Sequence, residues 1–287
     1  MVKTICVIGV GLIGGSLACG LRKHQWCESI VGIDAHQSAI NQALQLEVID
    51  AGYASIDDCP GVPDIVVIAV PVLKVANVFR QLKPWMNKCR AITDVSSTKQ
   101  SVIEDFNKVF TEQLPNCFVP GHPIAGREQS GVQAAVDNLF DAKKVILTPT
   151  KQTREDSLKL VTSMWEQVGA NVELLSPQDH DQILAVTSHL PHALAFSLVH
   201  CLSTQSHTQE IFRYASGGFA DFTRIASSDP TVWRDICLAN REQLLSALSH
   251  FDTSLQQFRN GLEAGDGDVL EKIFVEAKNA RDKYTNS

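Results

Sequence analysis

Short cysteine and histidine spacings of the kind that hold metals or disulfides are missing from this sequence. None of its eight cysteines forms a C-x-x-C pair, and no H-E-x-x-H or other metal-ligand spacing occurs. Several of the cysteines lie in apolar segments, where the thiol behaves as a small hydrophobic group. We therefore expect no metal site, and we expect a reduced, cytoplasmic protein rather than a disulfide framework.

Positive charge and long hydrophobic runs are scarce as well. The 287 residues carry 25 Lys and Arg against 32 Asp and Glu, a formal net charge of −7, which argues against a nucleic-acid surface. No stretch reaches the unbroken apolar length that a membrane helix needs, so no membrane association is expected. Lys3 precedes an apolar stretch, but glycines interrupt that stretch and no signal cleavage site is evident. Repeats and low-complexity linkers are absent, and no appended regulatory domain is expected.

The most informative stretch lies at the start of the chain. An apolar run over 5–8 leads into a Gly-x-Gly-x-x-Gly pattern formed by Gly9, Gly11 and Gly14, and an apolar helical pattern follows. In a dinucleotide-binding unit, the first glycine allows a tight turn and the second lets the backbone approach a pyrophosphate. The third lets the helix pack close to the strand, and the helix start holds the phosphates.

A second apolar run ends on Asp34, 20 residues after Gly14. An acidic side chain at this distance can bond a ribose 2′-hydroxyl. Ala35 and His36 follow with no adjacent arginine, which predicts NAD rather than NADP as the cofactor. The alternative interpretation is a glycine-rich turn followed by a chance aspartate.

Short apolar runs alternate with helical patterns up to about residue 175, which is typical of β-α-β units and a doubly wound sheet. The predicted strands are 5–9, 30–34, 64–70, 91–95, 117–120, 144–148 and 170–175. The predicted helices of this part are 36–46, 73–83, 98–112, 129–137 and 154–168. Strand signals then stop, and the remaining predicted helices are 178–202, 207–216, 229–263 and 267–283. The predicted fold is an α/β Rossmann N-terminal domain, 1–175, followed by an all-α C-terminal domain, 176–287.

Apolar residues recur at three- and four-residue spacing along the last part of the 229–263 helix. They are Leu248, Phe251, Leu255, Phe258 and Leu262. This stripe can pack within its own domain or against a second subunit, and the sequence leaves both open.

Polar residues follow two of the predicted parallel strands, where ligands of open α/β sheets bind. Val70 and Pro71 end one strand, and Ser96, Ser97 and Lys99 follow the next. These residues can bond ribose, substrate or a catalytic partner, although Thr98 and Ser97 can also simply cap a helix. The predicted cofactor site comprises Gly9, Gly11, Leu12, Ile13, Gly14, Asp34, Val70, Pro71 and Ser96.

His122 lies between Gly121 and Pro123, just past a predicted strand end. Histidine titrates near neutral pH and suits proton transfer coupled to hydride transfer. A lone histidine in a loop is more often only solvated, but its position at the sheet edge favours catalysis.

In the helical part, His189 and His192 are three residues apart and face one side of a helix. Arg224 follows a Gly217-Gly218 pair, and its guanidinium can clamp a substrate carboxylate with two parallel bonds. Alternatively, the histidines are ordinary helix positions, and Arg224 forms a surface ion pair.

Together these residues resemble the prephenate/arogenate dehydrogenase family of tyrosine biosynthesis. The resemblance rests on five segments that occur in family order: the glycine stretch 9–16, and the stretches 94–99, 121–126, 188–192 and 217–224. It implies a Rossmann domain, a helical domain that dimerises, and NAD- or NADP-dependent oxidative decarboxylation of prephenate or arogenate.

The resemblance also implies roles for single residues. His122 would accept the proton of the ring C4 hydroxyl, and Ser97 would bond and orient that histidine. His192 and Arg224 would bind the substrate, with His189 beside them. Glu128 would shape the electrostatics of the site. Arg127 departs from the small or hydroxyl residue common in the family and can alter side-chain selectivity.

Two other function classes compete with this interpretation. β-Hydroxy-acid dehydrogenases share the layout but generally use a catalytic lysine on a helix of the second domain, and we find none here. A non-catalytic nicotinamide-sensing module would not need a histidine, a carboxylate-binding arginine and an orienting serine together. The sequence does not separate prephenate from arogenate, nor does it report tyrosine feedback inhibition.

Overall fold

The computed structural model describes residues 2–86, 88–111, 114–127 and 129–285. Its strands are β1 (Val2–Ile8), β2 (Cys27–Ile33), β3 (Ala51–Tyr53), β4 (Ile65–Ile68), β5 (Ala91–Asp94), β6 (Phe118–Val119), β7 (Gly121–Pro123), β8 (Lys144–Leu147) and β9 (Asn171–Leu174). The helices up to residue 203 are α1 (Leu12–Lys23), α2 (Gln37–Gln45), α3 (Val75–Leu82), α4 (Gln100–Val109), α5 (Glu155–Gln167), α6 (Pro177–Leu184) and α7 (Leu190–Ser203). The remaining helices are α8 (Thr208–Arg213), α9 (Gly217–Thr223), α10 (Pro230–Ala239), α11 (Arg241–Ala264) and α12 (Gly267–Thr285).

The first six strands form one parallel sheet in the order β3-β2-β1-β4-β5-β6. This is the strand order of a Rossmann sheet, with the order reversing between β1 and β4, where ligands bind outside the carboxyl ends of the strands. The predicted α/β Rossmann class is confirmed. β3 was not predicted, because Ala51-Gly52-Tyr53 is too short to form an apolar run.

Alternate residues of β1 enter two different cores, one on each face of the sheet. Ile5 and Val7 pack on one side with α1 and α5, and Cys6 and Ile8 pack on the other with α3 and α4. A parallel strand covered on both faces needs apolar residues at every position, which explains the unbroken runs in the sequence.

The last three strands form a separate sheet in the order β7-β8-β9. β7 runs antiparallel to β8, with His122 opposite Ile146, whereas β8 and β9 are parallel. The predicted strand 117–120 therefore ends early at β6, and the chain turns at Pro120 into the second sheet. This turn carries His122 away from the first sheet while keeping it beside β5.

Two predicted helices differ from those in the structure. Instead of a helix over 129–137, only a short 3-10 turn over Val132–Ala134 forms, since Gly131 adopts a φ of +85° that no α-helix permits. The predicted 229–263 helix is two helices, α10 and α11, because α10 ends at Ala239 and Asn240 separates it from α11. The predicted start at Asp229 and Pro230 is confirmed: the Asp229 carboxylate accepts the backbone N–H groups of Thr231 and Val232.

Helices α6 and α7 are joined by a π-helical turn, Ala185–His189, so that residues 177–203 run as one long helical segment. By length and composition alone this segment is apolar enough to cross a membrane, contrary to the expectation from the sequence. It also carries His180, Asp181 and His189, all of them buried.

Residues 1–240 form one compact unit, and a second unit begins at Arg241. Within the second unit, α11 and α12 pack together, with the rings of Phe258 and Phe274 5.9 Å apart. Leu255 and Leu262 of the apolar stripe nevertheless stay 51% and 56% exposed. Two of the five residues of the stripe are therefore exposed in the structure.

Candidate active site

The glycine turn between β1 and α1 has the geometry that its sequence predicts. Gly9 adopts a φ of +95°, and a Cβ there would lie 2.5 Å from the carbonyl oxygen of Ala69. A Cβ on Gly14 would collide with the carbonyl oxygen of Gly9 and with Val7. A Cβ on Gly11, in contrast, would meet no atom within 4 Å. Gly9 and Gly14 are thus required by the protein's own packing, whereas Gly11 borders open space in which a ligand can approach the backbone.

The start of α1 offers free hydrogen-bond donors beside that space. No side chain caps this helix, and its first turn carries no acidic residue. The amides of Leu12, Ile13 and Gly14 belong to this first turn, where backbone N–H groups lack partners within the helix. Uncapped donors and the positive end of the helix dipole suit a pyrophosphate, so the predicted dinucleotide fits this turn.

Asp34 lies at the carboxyl end of β2, next to the glycine turn. Its Oδ2 accepts the N–H of Val10 at 3.0 Å, and its Oδ1 accepts the N–H of His36 at 2.9 Å. The carboxylate therefore braces the turn in addition to its predicted role toward a ribose.

The other predicted cofactor residues lie where β4 and β5 end. Val70 is half-buried, Pro71 is exposed, and both follow β4. Ser96 follows β5 and donates its N–H to Asp94 Oδ2 at 3.0 Å, while its buried hydroxyl has no partner among the described residues. An unpartnered buried hydroxyl is costly, which favours a ligand or water at this point.

His122 is buried within β7 rather than in a loop. Its Nδ1 lies 2.9 Å from Nε2 of His180 in α6, with the two rings meeting edge to face. Ser97 is half-buried, and the described hydrogen bond that orients the His122 ring is the one to His180, so the orienting role of Ser97 stays a prediction. Burial, followed by the neighbouring His180 and the Lys99 cation, holds the pKa of His122 well below 6.5, so its ring is neutral at pH 7.

Behind the two histidines lies a buried network of charges. Asp181 Oδ1 is 2.7 Å from His180 Nδ1 and also accepts the backbone N–H of Lys99 at 2.7 Å. The Lys99 ammonium donates to Asp94 Oδ2 at 2.6 Å and to the carbonyl oxygen of Gly121 at 2.5 Å. Asp94 Oδ1 in turn accepts the N–H of Gly121 at 3.1 Å. Lys99 and Asp94 thus hold the peptide groups on both sides of Gly121, immediately before His122.

His189 and His192 occupy different environments. His189 is buried, with Nδ1 3.0 Å from the side-chain amide nitrogen of Asn240 and with no described partner at Nε2. Burial lowers its pKa to about 4. His192 stacks on Trp233, with ring centroids 3.5 Å apart, and its Nδ1 lies 2.9 Å from the carbonyl oxygen of Ser188.

The Nδ1 of His192 donates to that carbonyl oxygen, which leaves the Nε2 of the neutral ring as an acceptor. Burial first, and the charge of Arg224 second, lower the pKa of His192.

Arg224 is exposed and begins a 3-10 turn directly after α9. Gly217 and Gly218 are the first residues of α9 rather than a turn, and a Cβ on either would meet no atom within 4 Å. The glycine pair therefore leaves space next to the start of α9 instead of bending the chain. Arg127 is exposed after β7, and Glu128 lies outside the described residues.

Several residues of the site had no assigned role in the sequence analysis, among them His180, Asp181 and Trp233. The run Asp179-His180-Asp181 at the start of a Ser-Pro-capped helix was a usable signal, because it concentrates titratable groups on one turn. Trp233, in contrast, has no signal in the sequence beyond an ordinary apolar position of α10, and only the structure shows that it stacks on His192.

A Rossmann sheet with an uncapped glycine turn, and a buried neutral imidazole at the strand ends, define a dinucleotide-dependent oxidoreductase. Two family models cover the chain: residues 17–174 match the nucleotide-binding domain of prephenate dehydrogenase, and residues 176–276 match its dimerization domain. The chain belongs to the prephenate dehydrogenase family, and the resemblance stated from its motifs is confirmed.

Individual relatives agree with this assignment. The cyclohexadienyl dehydrogenase of Zymomonas mobilis is 36% identical, over 97% of this chain and 95% of that protein. The crystal structure of prephenate dehydrogenase from A. aeolicus, in complex with hydroxyphenyl propionate and NAD+, is 40% identical with a TM-score of 0.92 over 99% of each chain. The arogenate dehydrogenase of Synechocystis is 27% identical with a TM-score of 0.80, over 98% of this chain and 100% of that one.

Proposed function

We propose that the protein catalyses the NAD-dependent oxidative decarboxylation of prephenate to 4-hydroxyphenylpyruvate, or of arogenate to tyrosine. The observation that carries this proposal is His122: a buried imidazole, neutral at pH 7, placed by β7 beside the carboxyl ends of the Rossmann strands. A neutral imidazole is the form that can accept a hydroxyl proton.

Bound NAD supplies the acceptor for the hydride that leaves ring C4. The residues of the chain have three tasks: to orient the C4–H bond, to take the proton of the C4 hydroxyl, and to hold the carboxylates of the substrate. His122 takes the proton, and Arg224 with His192 and His189 binds the substrate. The ring carboxylate then leaves as CO₂, a loss that requires little help because it creates an aromatic ring.

His189 and His192 offer complementary groups to the substrate. The amide N–H of Asn240 donates to Nδ1 of His189, so the proton of the neutral His189 ring is on Nε2, which donates. Nε2 of His192 accepts. One substrate oxygen that accepts and one hydroxyl that donates would satisfy both nitrogens.

We further propose NAD rather than NADP as the preferred cofactor. The Asp34 carboxylate, fixed by Val10 and His36, accepts bonds from a ribose diol and repels a 2′-phosphate. Asp34→Ser should narrow the difference in kcat/KM between NAD and NADP. Equal or better efficiency of the unmodified enzyme with NADP would contradict this preference.

The assembly that we propose is a cytoplasmic homodimer formed through the helical domain 176–287. Exposed apolar side chains on α11 and α12, including Leu255, Leu262 and Phe274, support a second copy as their cover. The apolar segment 177–203, few of whose residues are buried, supports the same assembly, because cover by a second copy accounts for its apolar composition without membrane insertion.

Steady-state kinetics with both substrates test the proposed function. The absorbance of reduced nicotinamide is followed with prephenate and with arogenate, each at saturating NAD, and the ratio of the two kcat/KM values gives the preference. A sensing module would bind NAD without turnover of either substrate. A β-hydroxy-acid dehydrogenase would oxidise a simple 3-hydroxy acid instead, and either result would overturn the proposal.

A further inference from the structure

The bond between His122 and His180 has a direction that the surrounding groups determine. Asp181 accepts the backbone N–H of Lys99 on Oδ1, at 2.7 Å, and the backbone N–H of Gln100 on Oδ2, at 2.8 Å. Both oxygens of this carboxylate are therefore acceptors, at the start of α4, where the helix dipole favours negative charge.

Because Asp181 accepts, Nδ1 of His180 must donate in the 2.7 Å bond between them. A neutral imidazole carries only one proton, so Nε2 of His180 is bare and can only accept. Burial lowers the pKa of His180 despite its bond to Asp181, and the ring is neutral at pH 7.

The bare Nε2 of His180 lies 2.9 Å from Nδ1 of His122. This bond forms only if His122 carries its proton on Nδ1. The neutral His122 ring then has its lone pair on Nε2, the nitrogen that no described residue engages. The Asp181 carboxylate therefore determines the tautomer of His122 through two successive hydrogen bonds, Asp181 to His180 and His180 to His122.

The same arrangement affects the charge that forms during turnover. When Nε2 of His122 takes a proton, the ring becomes a cation that donates to His180, which donates in turn to Asp181. Four titratable groups lie around this pair: Lys99 and Asp94 near the end of β5, Asp181 beside His180 in α6, and His189 in the π turn. The Lys99 cation opposes the new charge, the two carboxylates favour it, and His189, with a pKa of about 4, is neutral at pH 7.

We propose that His180 and Asp181 are positioning residues that fix His122 in the tautomer with a bare, basic Nε2. This role rests on the proposed oxidation, in which His122 accepts a proton. The logic is that of a carboxylate-histidine pair, in which the carboxylate orients an imidazole and stabilises its cation without touching the substrate. Here a second imidazole lies between the carboxylate and the base.

Two variants of His180 separate this role from simple packing. His180→Leu removes the acceptor, so kcat should fall about 10²–10⁴-fold with the KM values for substrate and NAD nearly unchanged. The side chain of His180→Gln can place an amide oxygen near the same point and accept from His122, so it should recover a large part of the lost kcat. Asp179→Asn, on the same turn of α6 but exposed, is the matched control and should behave as the parent.

The tautomer itself can be read without substrate. In protein labelled with ¹⁵N-histidine, the signals of His122 are those missing from His122→Asn, and their chemical shifts report which nitrogen carries the proton. Above pH 7 we expect a protonated Nδ1 and a bare Nε2 in the parent and in His180→Gln, but not in His180→Leu.

A parent spectrum with the proton on Nε2, or a His180→Leu variant with the kcat of the parent, would overturn the proposal. If neither prephenate nor arogenate is turned over, the proposed function fails, but the ¹⁵N spectrum of the parent still tests whether His180 and Asp181 fix the tautomer of His122. Circular dichroism melts of each variant identify any loss of kcat that comes from unfolding. If His180→Leu unfolds, the ¹⁵N spectrum of His180→Gln is the test: a proton on Nε2 of His122 in that variant would contradict the proposal.

Discussion

The buried ion pair between Lys99 and Asp94 allows a stability prediction with a matched control. Lys99 and Asp94 are both 0% exposed, and Nζ lies 2.6 Å from Oδ2. Lys99→Met keeps most of the side-chain volume but leaves the Asp94 carboxylate buried without its cation. Breaking a buried pair in this way typically costs about 3–5 kcal/mol of unfolding free energy.

For a chain of this length each kcal/mol corresponds to about 2–4 °C, so we expect the Tm to fall by about 6–20 °C. The control is Lys159→Met. Its partner is Glu155, also at 2.6 Å, but these side chains are 71% and 78% exposed. Solvent screens such a pair, and its loss should leave the Tm unchanged within error.

Thermal melts followed by circular dichroism, at one protein concentration for all variants, measure both effects. Adding Asp94→Asn to Lys99→Met removes the unpaired charge while keeping an oxygen that can accept the N–H of Gly121, so part of the loss should be regained. If Lys99→Met had the same Tm as the parent, the buried ion pair would not stabilise the contact between β5 and β7, and the reasoning from burial would be refuted.

Four further predictions concern the histidines and Arg224. His122→Asn should lower kcat about 10²–10⁴-fold with little change in KM, and near-normal kcat across pH would contradict its role as the base. In the parent, kcat/KM should be flat above pH 6.5 and fall only at lower pH, because the pKa of His122 is lowered; a limb above pH 7.5 would indicate another group. Arg224→Ala should raise the KM for substrate at least about tenfold while the Kd for NAD is unchanged, with Arg224→Lys also impaired; weaker NAD binding instead would direct attention to Arg127. Because unfolded His189 binds a proton below pH 6.5 but the folded residue does so only near pH 4, its contribution to the unfolding free energy should fall by about 3 kcal/mol over that range, and urea titrations should show a fall of at least this size because the pKa values of His122, His180 and His192 are lowered too.

The features predicted from sequence are those whose cause is local. The glycine turn is fixed by a few adjacent residues, and the buried parallel strands each require a continuous apolar run. The start of α10 depends only on Asp229 and Pro230. These were predicted because each signal lies within a few residues of the structure that it specifies.

The features that were missed depend on distant partners. His180 meets His122 across 58 positions of sequence, and Lys99 reaches Gly121 across 22. The antiparallel direction of β7 results from its pairing with β8, and no local sequence pattern predicts that pairing. Gly131 was the one local signal available against the predicted helix 129–137, since a glycine inside an apolar pattern can be the residue that breaks it.

The π turn at 185–189 determines the phase of the histidines along their helical segment. Successive residues of an α-helix are rotated by about 100°, so the 12 residues from His180 to His192 would put their side chains about 120° apart. One extra residue in a single turn cancels about 100° of this, which leaves the two within about 20° of each other. An unbroken α-helix over the present residues would rotate His192 away from the side that His180 faces, whereas a chain shortened by one residue within 185–188 could form an unbroken α-helix and still keep the two histidines on one side. The spacing of these histidines therefore has meaning only together with the irregular turn between them.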